Sequence, residues 1–138
     1  MVEDRFREAD LLLHAGDLVH PAVLDILAAK NFKAVSGNMD SDAVRRLLPD
    51  RLVFQAGRFR IGLIHGWGSP HGLAERLLKV LEPVDCLVYG HTHCPDNRLR
   101  DGVLFFNPGS ALDGRSAAAN TIGFLDIGDE IRGEIATV

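Results

Sequence analysis

The tightest constraint in this sequence is the run Asp85-Cys86-Leu87-Val88-Tyr89, followed at once by Gly90-His91-Thr92-His93. The run is short and almost wholly apolar, so it reads as a buried strand, and Gly90 ends it. Two imidazoles are thereby presented on a loop at the strand's C-terminal end. Histidines one residue apart on a loop can point in different directions, so each can serve a different metal ion. Alone, such a pair is a weak signal. It gains force only where carboxylates and amides from elsewhere converge on it.

The rest of the chain supplies further short runs of the same kind. Leu11-Leu12-Leu13-His14-Ala15 is a buried strand closed by Gly16-Asp17, and the charged residues 4–9 before it suit the last turn of a helix. Pro21 opens a helix with Val23, Leu24, Leu27 and Ala28 at helical spacing, ending near Asn31. Phe32-Lys33-Ala34-Val35 is a second strand, stopped by Ser36-Gly37-Asn38-Met39-Asp40. Ser41 caps a short helix over residues 42–48, which Pro49 terminates. Leu52-Val53-Phe54 and Phe59-Arg60-Ile61-Gly62-Leu63-Ile64 flank Gly57-Arg58 at the spacing of a tight hairpin and deliver His65-Gly66. Ser69-Pro70 opens a further helix, with Leu73, Leu77 and Leu81 on one face, and Pro83 follows its end. Residues 98–100 and 103–106 bracket Asp101-Gly102, a strong hairpin signal. Asn107-Pro108-Gly109-Ser110 is a turn, residues 121–127 and 131–138 are two last strands, and Ala117-Ala118-Ala119 marks a variable loop. Strands alternate with helices early and run as hairpins later. The expectation is a single layered α/β domain over residues 1–138, with two sheets inside and helices outside. In such architectures ligands gather beyond the C-terminal ends of the strands.

Composition narrows the function classes. With 138 residues, 46% of them hydrophobic, the chain is an ordinary globular domain. A formal net charge of −4 gives no electrostatic footprint for general nucleic-acid binding, and a small anionic substrate fits better. Residues 1–9 lack the apolar core of a secretory signal and no apolar run is long enough to span a bilayer, so the expected location is cytoplasmic, with no membrane contact. Two cysteines are too few for a disulfide framework. Cys86 is read as core and Cys94 as a bystander thiol.

Four of the strands end in a residue able to bind metal: Asp17, Asn38, His65, and the pair His91 and His93. Each follows or adjoins a glycine, which permits the sharp turns that bring side chains to a common point. Carboxylate, amide and imidazole donors together suit a borderline divalent ion such as Mn²⁺, Ni²⁺, Fe²⁺ or Zn²⁺. Gly16-Asp17, Gly37-Asn38-Met39-Asp40, His65-Gly66, Gly90-His91-Thr92-His93 and Asn107-Pro108-Gly109-Ser110, in this order and at these separations, resemble the calcineurin-like metallophosphoesterases. Within them the likeness is greatest to the small bacterial and archaeal phosphodiesterases that share a fold with the retromer scaffold subunit. It runs from about Leu11 to the C-terminus. The resemblance implies a two-sheet β-sandwich flanked by helices and a dinuclear metal centre. Asp17 would bridge two ions, with Asn38, His65 and His91 completing one site and His93 belonging to the other. The implied chemistry is attack of metal-bound hydroxide on phosphorus, resting on Asp17, Asn38, His65 and His91. Asp40 is read as orienting a ligand or the loop.

The sequence also departs from the family pattern. The resemblance implies a first strand ending in Asp-x-His, whose two side chains belong to the second metal site, and no such segment is present. The expectation is a fold lacking that first strand, with one well-formed metal site and an incomplete second. The missing strand would pair beside residues 11–15 and leave an edge or a gap there, and a start upstream of Met1 is favoured over an edge covered by another chain. Met39 stands where many relatives place a histidine able to protonate the leaving group, and a thioether has no proton to give.

Other polar residues have plainer readings. His14 is structural and His20 an exposed helix-entry residue. His71, read at a helix start beside Gly66-Trp67-Gly68, is a candidate for substrate binding because a helix N-terminus favours anions. Trp67 either walls the pocket or anchors its loop. Asn107 to Ser110 shape the rim, Ser110 has no base partner, and Arg45 and Arg46 form a solvated helix face. The functional expectation is a metal-dependent phosphodiesterase acting on a small phosphodiester or phosphomonoester, its activity reduced or lost in this chain. The alternative is a non-catalytic protein-interaction scaffold that keeps the fold. A homo-oligomer stays open.

Overall fold

Residues 8–16, 31–38, 40–110 and 120–137 are described by the computed structural model. The helix expected after Pro21, the alanine run, Asp17, His20 and Met39 lie outside them. In chain order the elements are β1 (Leu12–His14), β2 (Phe32–Ala34), α1 (Asp42–Leu47), β3 (Arg51–Ala56), β4 (Phe59–Ile64), α2 (Leu73–Val80), β5 (Cys86–Tyr89), β6 (Asp96–Arg100), β7 (Val103–Asn107), β8 (Thr121–Ile127) and β9 (Ile131–Thr137). Local chemistry sets several of these boundaries. Ser41 Oγ accepts from the Val44 amide at 3.3 Å, which starts α1, and the helix stops before Pro49. Asp101 and Gly102 both adopt left-handed φ, 51° and 81°, the turn geometry that lets β6 and β7 pair without splaying.

The main sheet has the order β3-β4-β5-β7-β6, with β4, β5 and β7 parallel and a hairpin partner antiparallel at each edge. Alternation along the parallel strands divides its side chains between two layers. Ile61, Leu63, Cys86, Val88, Leu104 and Phe106 form one cluster with Leu13 of β1, Leu125 of β8 and Ile135 of β9. Ile64, Leu87, Tyr89 and Phe105 form the other with Leu73, Ala74 and Leu77 of α2. Strands cover one face and a helix covers the other, as a layered α/β domain requires.

The structure differs from expectation at three places. First, α2 begins at Leu73, not at Ser69-Pro70, because Gly72 takes a left-handed φ of 62° that no right-handed helix accommodates. Second, β7 continues through Asn107, which pairs with Asp96 and is fully buried, so the turn starts only at Pro108. Third, the covering layer is in two pieces: β1 and β2 form a parallel pair and β8 and β9 an antiparallel one, and among the described residues no ladder joins them. Also among the described residues, no helix is long and apolar enough to cross a membrane.

Candidate metal centre

The C-terminal ends of the strands meet at one place because their backbones approach very closely. The Val35 amide donates to His14 O at 3.1 Å, and the Gly90 amide to His65 O at 3.1 Å. Gly16 joins the two pairs. A methyl group there would lie 2.7 Å from His65 Nδ1 and 2.9 Å from the Gly37 amide nitrogen, and its φ of 102° also favours glycine.

His65 is buried, with Nδ1 2.7 Å from Ala15 O and Nε2 2.8 Å from Asn38 Oδ1. A carbonyl can only accept, so Nδ1 carries the ring proton and donates it, and in the neutral ring Nε2 offers a lone pair. That lone pair faces the Asn38 side-chain amide, so an imidazole nitrogen and an amide oxygen are placed where a cation could be shared between them. Two donors about 2.1 Å from a divalent ion and about 90° apart lie about 3 Å from each other. The His65–Asn38 spacing fits such an ion. Asn38 itself is exposed, and the loop carrying it is closed by Asp40, whose Oδ2 accepts from the Gly37 amide at 2.7 Å.

His91 stands beside His65, with ring centroids 5.4 Å apart and planes at 78°. Its Nε2 donates to Gly68 O at 2.9 Å, which leaves Nδ1 with the lone pair. His91 and His93 both hold left-handed φ, 71° and 60°, and in non-glycine residues such conformations cost roughly 1 kcal/mol or more each. Asn107 holds the loop in that shape. Its Nδ2 donates to Gly90 O at 3.2 Å and to Thr92 Oγ1 at 3.1 Å, while its Oδ1 accepts from the Gly109 amide at 2.9 Å. Sequence reasoning treated Asn107 only as part of a rim turn. The signal that could have found its role is the one used for His65, a polar residue directly ending an apolar run.

The remaining candidates are placed less centrally. His93 is partly buried on the same loop as His91. His71 lies exposed in the turn before α2, not on the helix, and its backbone amide donates to Ser69 Oγ at 3.2 Å. Asp17 lies outside the described residues. Among the described residues, no three His, Cys, Asp or Glu side chains are grouped closely enough to hold an ion, so the converging donors are one amide and two imidazoles. Burial, with the nearby Asp85 charge, pushes the Cys86 thiol up to about 12, which makes it an inert core group. Burial likewise raises the Tyr89 phenol, which donates to Asp96.

The fold recurs in known proteins. Residues 1–130 match the calcineurin-like phosphoesterase superfamily domain. A protein of Methanothermobacter thermautotrophicus named as a probable metallophosphoesterase is 39% identical over 112 residues, covering 79% of this chain and 64% of the relative. The chain spans less than two thirds of the length of the curated relatives it matches. A Thermotoga maritima protein solved by NMR superposes with a TM-score of 0.75 at 35% identity, over 99% of this chain and 86% of that one. Entamoeba histolytica Vps29, solved in complex with Zn²⁺, gives 0.72 at 27% identity, over 99% and 87%. The fold is that of these proteins, and the family is metal-dependent. With a domain match over nearly the whole length and a relative at this identity, the chain belongs to the calcineurin-like phosphoesterase superfamily.

Proposed function

We propose that this protein is a metal-dependent phosphodiesterase in which Asp17, Asn38, His65 and His91 hold one divalent ion and His93 faces a second, incomplete position. The observation that carries this is the His65 Nε2 and Asn38 Oδ1 pair, two acceptors 2.8 Å apart with the far side of the imidazole fixed by Ala15 O. A divalent ion held by these residues would supply Lewis acidity toward a phosphoryl oxygen and lower the pKa of a water. The chain's own residues orient the donors: Ala15 O sets the His65 tautomer, Gly68 O sets that of His91, and Asp40 closes the loop under Asn38. Mn²⁺, Ni²⁺, Fe²⁺ and Zn²⁺ all suit this donor set.

The test is hydrolysis of an aryl phosphodiester with added Mn²⁺ or Ni²⁺, compared with Asp17→Asn and His91→Ala. Both substitutions are expected to lower the rate about a hundredfold or more. Rates unchanged by either overturn the reading. Elemental analysis is expected to give one tightly held ion per chain, since four of the proposed ligands share one position. Protein that purifies without metal, hydrolyses nothing and recovers a stoichiometric partner in a pull-down supports the interaction-scaffold reading instead.

A further inference from the structure

A cleft of ≈ 180 Å³ opens at the proposed centre, with Asn38, His65, Arg45, Asp50 and Trp67 among its lining residues. Trp67 is 45% exposed, so the chain's one tryptophan turns much of a large apolar ring to solvent at this wall. Its loop is nevertheless fixed. Arg76 donates to Trp67 O at 3.3 Å and to Ser69 O, and His91 holds Gly68 O at 2.9 Å. An aromatic side chain exposed on a loop whose backbone is tied down serves packing poorly and a flat ligand well, because little backbone order has to be gained on binding. Arg45 is the second unusual group. Among the described residues, every arginine except Arg45 and Arg46 has a carboxylate or carbonyl partner.

We propose that this cleft is a subsite for a planar aromatic ester group of the substrate, with the Trp67 indole as its stacking wall and the Arg45 guanidinium as a phosphate contact. The proposal rests on the phosphoester reading above. Size limits the occupant: an apolar cavity of about 150 Å³ holds one benzene ring, and drug-sized ligands need about 300 Å³ or more. One ring is the largest aromatic group the cleft takes, and the phosphate lies at its mouth within reach of Arg45. Charge limits it further. Asp50 shares the rim, paired with Arg51 at 3.6 Å and largely exposed, so it opposes a dianion more than a singly charged diester.

The experiment is equilibrium binding of diphenyl phosphate and diethyl phosphate, two monoanionic diesters that differ in their rings, measured by calorimetry and ligand-observed NMR with and without Mn²⁺. The expected result is about tenfold tighter binding of the diphenyl ester. Trp67→Leu removes that preference and leaves diethyl phosphate affinity within about twofold, while Trp67→Phe keeps most of it. Arg45→Gln weakens both esters by a similar factor, about fivefold. Circular dichroism checks that each variant is folded. Equal binding of the two esters, binding of neither, or a preference that survives Trp67→Leu overturns the subsite. The two readings fail separately: ring preference without Mn²⁺-dependent hydrolysis keeps the subsite and removes the enzyme, and hydrolysis with an aryl preference untouched by Trp67→Leu does the reverse.

Discussion

Asn107 has no exposed surface, and both ends of its amide are used on the backbone and hydroxyl that shape the histidine loop. Asn107→Leu keeps the same side-chain branching but is bulkier and strands those partners, so it is expected to lower the unfolding free energy by about 2–3 kcal/mol in urea titrations. The same variant should bind Mn²⁺ more weakly, because the hydrogen bonds from the Asn107 amide to Gly90 O and Thr92 Oγ1 help to shape the loop that carries His91 and His93. Gly16→Ala tests the close approach directly. Its methyl group would meet His65 Nδ1, so a loss of about 1–3 kcal/mol and a displaced His65 ring signal in NMR spectra are expected. Asn38, His65 and His91 could be singled out as candidates because each ends or closely follows an apolar run. The role of Asn107 was not legible, since Pro108-Gly109 advertises a turn and the contacts that bury the amide come from a loop 17 residues away in sequence.

Among the elements, α2 shows how far periodicity reaches. Leu73 and Leu77 were readable as its core face, and both are buried against β4, β5 and β7. Leu77→Ala is expected to cost about 2–5 kcal/mol by denaturant unfolding. The start of the helix was misread because Ser69-Pro70 resembles an N-terminus, while the left-handed turn at Gly72 depends on a φ value that sequence does not display. Glu75, in the first turn, has its carboxyl held below the usual range by a backbone hydrogen bond first and then by Arg98 and Arg100, with burial opposing. A lowered folded pKa means that its contribution is present above the unfolded value of about 4.3 and is lost as pH falls through the folded one. Glu75→Gln should therefore lag the parent in urea midpoint at pH 7, and the gap should shrink as pH falls below the unfolded value and close below the folded one. The effect is modest, because the side chain is 37% exposed.

For the whole molecule, the sheet-and-helix layering followed from short apolar runs and hairpin turns, but pairing between distant strands did not. Whether β8 and β9 join β1 and β2 is a matter of non-local registry, which local propensity does not encode. Burial on both faces of β5 has a simple chemical readout. A thiol reagent at pH 8 should modify one of the two cysteines in the native protein and both after denaturation, since Cys86 has no exposure and its thiol is pushed up to about 12. The tie between His91 and the Gly68 carbonyl has an optical counterpart. With one tryptophan in the chain, ultraviolet emission comes almost entirely from residue 67, whose next peptide is held by that imidazole. Any event that moves His91 acts on the residue next to the indole, so the colour and brightness of unlabelled protein become a gauge of the histidine loop.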